Sequence, residues 1–484
     1  MTLNKDQFGG IKGTGINHFL VETWDEIMNS LEDPNAAVSL MSIDFEKAFN
    51  RMSHSHCISA LQELNADEEG IKLTKAFLYG RTMRVKIGTT LSEPKTVPGG
   101  SPQGSILGNF LFCVTTNKLS EVGGQGAAVN QDQSIASTVS FADNGNSLGE
   151  ADSEISEPPS PISRPAPTNE SMDDSLPLFS YFRNIPEELE DTVLSQRCTQ
   201  DEIDANLGLP QGWTDRPLSV KVYVDDLNNI EKVKQSTALS TITATRTQLF
   251  PHAIKSEANF KQIKMRAEEM GMKVNSDKTQ LLCISGNTGY LSNSYIRTDD
   301  EKQITSTNEL KILGFWFGHQ PNVDVHVNKL QAKFRTRLWS LRHLKKSGMG
   351  PTDLLFIYTT MLRPVLDFAA PSYHSLLTAA QTEQIERLQK KSLRVVYGPE
   401  ISYREAIAIA NICTLKERRE QLTKRFALAT VKNPRYKDGW FPLKPPIPYN
   451  TRINRPYLEC ATRTERMRKN PLTYMRRLLN DDQN

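Results

Sequence analysis

A break in composition divides this chain into two ordered stretches, and any fold has to be built across that break. From Gly123 to about Leu176 the sequence is dominated by Ser, Pro, Asp, Glu and Gly. Such a composition offers too little apolar surface to offset the entropy lost on ordering the chain, so we predict that this stretch is disordered. Residues 177–217 contain isolated aromatic residues, which leaves their order open.

Charge is distributed as unevenly as composition. The net charge is only +2, but residues 121–218 hold 4 Lys or Arg against 18 Asp or Glu. Residues 321–484 hold 30 Lys or Arg against 14 Asp or Glu. A basic C-terminal third suits a polyanionic partner. The alternative is a solvated helical surface rich in Lys and Arg, and charge alone does not decide between the two.

Several classes of protein are disfavoured by simple features. No apolar run approaches the roughly 20 residues that span a bilayer, and the start, MTLNKDQFGG, lacks the pattern of a secretion signal. The six scattered cysteines disfavour a disulfide framework and a zinc site. We expect an intracellular protein of two or three domains with no membrane partner, in the nucleus or cytoplasm and without a clear targeting signal. The sequence leaves the oligomeric state undetermined.

Periodicity predicts the following elements. Ala36–Ile43 reads as a buried strand that ends at Asp44, Met83–Ile87 as a strand edge, and Val97–Gly108 as a turn before a helix. After the break, SVKVYVDDLNNI reads as strand–turn–strand, and Gly271 ends a helix over Ser256–Met270. Further strands are expected at Gln280–Ser285 and Leu310–Phe317, and further helices at Val327–Lys345, Asp353–Leu362, Ala379–Val396 and Leu415–Val431. The Pro- and Arg-rich tail from Asn433 shows only weak periodicity until Pro471–Leu479.

Three aspartates suggest chemistry. A lone Asp44 at the end of a strand is usually a helix N-cap. Asp225 and Asp226 are adjacent in YVDD, where like charges disfavour each other unless a divalent cation such as Mg²⁺ compensates them. The alternative for this pair is an exposed hairpin turn.

Together the three aspartates predict a site for two metal ions, which neither motif predicts alone. Nucleotidyl transfer uses two Mg²⁺ ions, which carboxylates from different strands must hold at one place. We predict that Asp44 and Asp225 bridge the two ions and that Asp226 is the adjacent, weaker ligand. The backbone carbonyl of Phe45 is a further candidate ligand.

Two further features fit a nucleotide site. The stretch PGGSPQGSILG allows a close approach of the backbone to a nucleotide, which the side-chain amide of Gln103 could bind. The alternative is a tight loop before a helix. Phe49 follows Asp44 by five positions, so its ring could block a ribose 2′-hydroxyl and select deoxynucleotides. The alternative is a core aromatic residue.

Six motifs in order, QFGGIKGTG, SIDFEKAF, GGSPQGSILG, YVDD, GMKVNSDKTQLL and LKILGFWFG, resemble the reverse transcriptase of non-LTR (LINE-like) retrotransposons. The resemblance covers residues 7–118 and 219–430. It implies an RNA-directed DNA polymerase that uses two Mg²⁺ ions (replaceable by Mn²⁺), deoxynucleoside triphosphates, an RNA template and a DNA primer. The implied fold is α+β, a right hand with partial fingers, a palm with an antiparallel sheet and a helical thumb.

The resemblance also implies roles for single residues. Lys12 would lie in the fingers near the triphosphate, and Gln103 and Gly104 would contact nucleotide and template. Asn275 and Lys278 fit the palm motif after YVDD, where a lysine would protonate the leaving pyrophosphate. The segment that grips the primer would contain Gly314 and Trp316. Template–primer phosphates would be held by basic thumb residues at helical spacing, namely Lys329, Lys333, Arg337 and Lys345.

The predicted domains are partial fingers and the first part of the palm (1–120), an acidic insertion (121–218), the second part of the palm (219–320), a thumb-like domain (321–432) and a basic tail (433–484). The chain begins at the second fingers motif, which suggests N-terminal truncation. A second aspartate motif, VSFADNGN at 139–146, is rejected because Asn144 replaces its second aspartate. The alternative function is a catalytically silent, nucleic-acid-binding remnant. A group II intron-type maturase is disfavoured because no intron-binding or HNH module is recognisable.

Overall fold

A computed structural model shows a mixture of helices and small antiparallel sheets, as the predicted α+β class requires. It describes residues 3–4, 7–32, 37–102, 105–117, 119, 238–245, 249–286, 295–298, 302–445, 456–459, 462 and 464–481. The predicted disordered stretch and the YVDD motif lie outside these residues. None of the described helices combines the length and the apolar character that crossing a membrane requires.

The N-terminal part contains five helices and five strands among its described residues. The helices are α1 (Ile16–Ser30), α2 (Ala48–Arg51), α3 (His54–Glu63), α4 (Glu68–Leu78) and α5 (Ile106–Thr115). The strands are β1 (Ala37–Glu46), β2 (Thr82–Met83), β3 (Lys86–Ile87), β4 (Thr90–Leu91) and β5 (Lys95–Thr96). The single strand edge predicted at Met83–Ile87 is wrong in detail, because β2 pairs with β5 and β3 with β4 along an exposed hairpin.

The middle part is strand-rich. Its elements are β6 (Ala238–Thr245), α6 (Leu249–Glu269), β7 (Lys273–Ser285), β8 (Tyr295–Arg297), β9 (Gln303–Thr305), β10 (Glu309–Ile312) and β11 (Phe315–Gly318). Gly271 has a φ of +77° just after α6, as expected of a residue that ends a helix. Helix α6 begins before the predicted Ser256, and β7 is longer than predicted.

The C-terminal part is helical. It contains α7 (Asp324–Lys346), α8 (Pro351–Ile357), a π-helical turn (Tyr358–Leu362), α9 (Arg363–Asp367), α10 (Ala370–Tyr373), a 3₁₀ turn (His374–Leu376), α11 (Ala379–Tyr397), α12 (Tyr403–Ala410), α13 (Leu415–Val431), α14 (Pro434–Trp440), α15 (Glu465–Lys469) and α16 (Pro471–Asp481). Three of the four long helices predicted here are confirmed as α7, α11 and α13, and the fourth, Asp353–Leu362, is divided into α8 and the π-helical turn.

Strand β1 is the centre of the main sheet. It pairs antiparallel with β6 on one side and with β7 on the other. Its alternate residues enter different cores, because successive side chains of a strand point to opposite faces. Met41, Ile43 and Phe45 pack with α6, whereas Val38 and Leu40 join the largest core. The prediction of a buried strand is confirmed, although β1 continues past Asp44 to Glu46.

The largest core joins the two ends of the chain. Helix α1 packs against α10 and α16, and the ring of His18 stacks on Tyr436 with 4.5 Å between ring centroids. Asn470 donates a hydrogen bond to Asp25 at 2.8 Å, and Asn433 donates to the carbonyl of Gly13 at 3.0 Å. The predicted domains at the two ends of the chain therefore share one hydrophobic core.

Two buried histidines and the partly buried His374 predict that acid destabilises this core. Burial lowers the pKa of His18 and His326 to about 3 and that of His374 to about 4, and nearby cations contribute at His18 and His374. The unfolded chain binds these protons near pH 6.5. The free energy of unfolding should therefore be highest above about pH 6.5 and should decrease as pH falls from there towards about 3.

Urea unfolding at about pH 7.5 and about pH 5 measures this difference. A His18→Asn variant should show a smaller difference than the wild type, because it removes one of the protonation sites. The same difference in both proteins would contradict the assignment to His18.

Candidate active site

Asp44 lies where one face of β1 changes from apolar to polar. Val38 and Leu40 on this face are in the core, and Ser42 and Asp44 follow them at alternate positions. Asp44 is buried, with only 7% of the residue exposed to solvent. Burial raises the pKa of its carboxyl group, and the nearby Lys278 opposes this effect. An ionised carboxylate at this position needs a compensating positive charge.

Strand β7 brings Lys278 to Asp44 through an irregularity in its pairing with β1. Ser42 pairs with Gln280, but Asp44 pairs with Asn275, so the part of β7 that contains Lys278 bulges out of the ladder. Bulges redirect side chains. Here the ammonium Nζ of Lys278 lies 3.6 Å from Oδ2 of Asp44.

Asn275 stabilises this bulge with both its side chain and its backbone. Its Oδ1 accepts a hydrogen bond from the backbone N–H of Lys278 at 3.3 Å. Its carbonyl oxygen accepts a hydrogen bond from the hydroxyl of Thr279 at 2.8 Å. Asn275 and Lys278, predicted to belong to one palm motif, therefore act together to place an amine beside Asp44.

The glycine-rich loop before α5 is fixed to the segment that follows β1. The backbone N–H of Gly100 donates to the carbonyl of Met52 at 2.8 Å, and that of Ser101 donates to the carbonyl of Phe49 at 2.7 Å. Gly100 has a φ of +79°, and a Cβ at this position would lie 2.6 Å from the Phe49 carbonyl oxygen. The loop therefore requires glycine here.

Sequence reasoning missed Arg81 and His54, which hold the same loop from another side. Nη2 of Arg81 donates to the carbonyl of Gly100 at 2.5 Å, and Nε2 of His54 lies 2.8 Å from that oxygen. Burial lowers the pKa of His54, and the Arg81 cation contributes to this decrease. A neutral His54 ring can donate from Nε2 to the carbonyl. No sequence signal distinguished these two residues from the other Arg and His residues of the chain.

Phe49 is half-buried, so both predictions for its ring stay open. The ring stacks on Phe112 with 4.7 Å between centroids and an angle of 25° between planes. It packs against the core that contains Phe45 and α6. This packing fixes the ring, and its remaining exposure leaves one side available to a ligand.

The segment predicted to grip the primer forms the β10–β11 hairpin. Leu313 and Gly314 make its two-residue turn, with φ values of +48° and +85°. A positive φ is strained for leucine. The ring of Trp316 lies under the ammonium of Lys329, with 4.5 Å to the ring centroid, and Lys311 lies 5.9 Å away. Two cations therefore gather at one partly exposed aromatic ring.

The four basic residues predicted to hold phosphates are spread around α7. Lys329 forms a 2.5 Å ion pair with a glutamate of β10. Arg337 donates to a backbone carbonyl in the π-helical turn at 2.6 Å, and Lys345 donates to one near the end of α11 at 3.2 Å. Lys333 is exposed. Their binding to phosphates stays a prediction, and three of them also tie α7 to neighbouring elements.

Of the remaining predicted residues, two lie in the described part of the chain. Lys12 is exposed in the loop before α1, and Phe45 is buried beside Asp44. Gln103, Gly104, Asp225 and Asp226 lie outside the described residues. Strand β6 begins at Ala238, which pairs with Asp44. The described residues alone contain no group of three His, Cys, Asp or Glu that could hold a metal ion.

Comparison with known proteins finds relatives over part of the chain. No family model matches the chain. It is 29% identical over 113 residues to a retrovirus-related Pol polyprotein from the type-1 retrotransposable element R2 of Popillia japonica. It is 30% identical over 114 residues to two probable RNA-directed DNA polymerases of Drosophila melanogaster, from transposon BS and from transposon X-element.

Each match covers 23% of this chain and only 12–16% of the relative's own length. Over about a quarter of its length, the chain therefore resembles the RNA-directed DNA polymerases and Pol polyproteins of non-LTR retrotransposons.

Proposed function

We propose that this chain is an RNA-directed DNA polymerase that extends a DNA primer on an RNA template with deoxynucleoside triphosphates. The observation that carries the proposal is the pairing of buried Asp44 with Lys278 at the polar end of the central strand. A carboxylate and an amine at this place are the two kinds of group that nucleotidyl transfer needs, one to hold metal and one to donate a proton. The names of the three relatives support the same reaction class.

The donor groups fit Mg²⁺, or Mn²⁺ in its place. Among the described residues, Lys278 alone forms an ion pair with Asp44, and at 3.6 Å it compensates the buried carboxylate only in part. Asp44, Asp225 and Asp226 would hold the ions, with the carbonyl of Phe45 as a further oxygen ligand. When bound, the ions would activate the primer 3′-hydroxyl and stabilise the charge of the triphosphate.

Residues of the chain would supply proton donation, nucleotide binding and selection of the sugar. Lys278 would hold a proton at Nζ and donate it to the leaving pyrophosphate. The loop held through Gly100 would present Gln103 to the nucleotide, and the fixed ring of Phe49 would exclude a 2′-hydroxyl. These roles depend on the way β1, β7 and the glycine-rich loop meet, because each contributes a different group.

We predict that Asp44→Asn and Asp225→Asn each abolish primer extension while template–primer affinity is kept. Each change removes a metal ligand and little packing. The assay is extension of oligo(dT) on poly(rA) by the full chain with Mg²⁺, and binding is measured by fluorescence anisotropy. Asp143→Asn, in the rejected FADN motif, is the matched control and should stay active.

Extension by Asp225→Asn together with loss of extension by Asp143→Asn would show that the other motif carries the ligand. A wild-type chain that binds template–primer but never extends it would instead favour the silent remnant.

We also predict that Lys278→Ala lowers the rate of extension about 10²- to 10⁴-fold, the usual contribution of a general acid. The matched control is Lys273→Ala on the same strand, since Lys273 forms its ion pair with Glu46 at 3.1 Å and not with Asp44. The measurement is single-turnover extension over a range of pH. Equal rates for the two variants would contradict the role of Lys278.

A further inference from the structure

Helix α7 presents an exposed aromatic ring that none of the proposed polymerase functions uses. Trp339 is 59% exposed, and its ring centroid lies 3.7 Å from that of His343 one turn later. Nδ1 of His343 also lies 3.1 Å from the carbonyl oxygen of Trp339. The pair forms a broad aromatic surface whose contact with a flat apolar partner would be favourable.

Positive charges surround this aromatic surface. Arg335, Arg342 and Lys346 stand four positions before Trp339 and three and seven positions after it, so they share its face of the helix. In the described part of the chain, no ion pair involves any of these three residues, and Arg335 donates only to the neutral amide of Gln331. Helix α7 as a whole contains seven Lys or Arg residues and one acidic residue, Asp324.

This face is separate from the contacts that hold α7 in place. Arg337 precedes Trp339 by two positions, which puts it about 160° away around the helix. The buried apolar residues Phe334, Leu338 and Leu341 lie about 100° to 160° from Trp339 around the helix. The Trp339 face is therefore directed to solvent, and a ligand could reach it without any change in the packing of the helix.

We propose that the face formed by Arg335, Trp339, Arg342, His343 and Lys346 binds single-stranded nucleic acid. An unpaired base would stack on Trp339, and the neighbouring cations would hold the adjacent phosphates. Aromatic rings within a basic surface are the usual means of binding single strands, because every unpaired base has an apolar face and every nucleotide a charge. A base-paired duplex has no free base face along its length, so this surface should prefer single strands. The site extends the proposed function but does not need catalysis.

The test measures binding without Mg²⁺ or nucleotides, using the full chain. The probes are a fluorescein-labelled oligo(U), whose bases stack little on each other, and a blunt RNA–DNA duplex of equal length. Trp339→Ala should weaken oligo(U) binding about 5- to 100-fold, as expected when one stacked base is lost. Its affinity for the duplex should change less than about twofold, and Trp339→Phe should restore most of the oligo(U) affinity.

The matched control is Phe356→Ala. Phe356 is 66% exposed on α8, which contains no Lys or Arg, so this change should leave oligo(U) affinity unaltered. Arg342→Ala should reduce the log–log salt slope of oligo(U) binding by about 0.7, the value for one phosphate of a single strand.

Three results would overturn the proposal. They are wild-type oligo(U) affinity in Trp339→Ala, an equal loss in Phe356→Ala, or self-association of the wild type that Trp339→Ala abolishes. The last result would make the face a protein interface. Asp44→Asn should bind oligo(U) like the wild type, so failure of the polymerase proposal and failure of this one give different results.

Discussion

The structure depends on a single strand, β1, that is buried on both faces and pairs along both edges. Its apolar residues supply two cores at once, with Met41 and Ile43 on one face and Val38 and Leu40 on the other. Only towards its end does one face become polar, and Asp44 is the residue placed there. The cost of burying that carboxylate is tolerated because Lys278 comes from the neighbouring strand. The candidate site is therefore built on a buried charged residue in a strand whose other core residues are mostly apolar.

The elements around β1 are held by contacts between distant parts of the chain. The glycine-rich loop is fixed to the backbone just after β1 and is held from the other side by Arg81 and His54. Helix α1 is enclosed by C-terminal helices, where His18 stacks on Tyr436 and Asn470 bonds to Asp25. Residues at both ends of the sequence thus stabilise the sheet from which Asp44 projects.

Local signals allowed much of the fold to be predicted from the sequence. The helix Leu415–Val431 has the predicted bounds, because Thr414 and Glu417 form a capping box at its start. The strand before Asp44 was recognisable as a continuous apolar run, and Gly271 as the end of a helix. Each of these features depends on residues within one or two turns of each other.

Features that depend on pairing between distant residues could not be predicted in the same way. The bulge that brings Lys278 to Asp44 exists only because β7 changes register against β1. Arg81 and His54 both bind the carbonyl group of Gly100, which lies 19 positions from Arg81 and 46 positions from His54 in the sequence. Helical spacing predicted that four cations of α7 bind phosphates together. In the structure, three of them contact neighbouring elements of the protein instead.

The central claim is that Asp44 and the YVDD aspartates meet at one metal site. Fe²⁺ can replace Mg²⁺ at oxygen ligands and, with ascorbate and peroxide, cleaves nearby backbone. Mapping the cleavage sites by mass spectrometry therefore shows which segments surround the ion. We predict cuts near Asp44 and near Asp225 in the wild type, both reduced by excess Mg²⁺ and both lost in Asp44→Asn. Cuts near Asp44 and Asp143 without any near Asp225, or cuts unaffected by Asp44→Asn, would contradict the account.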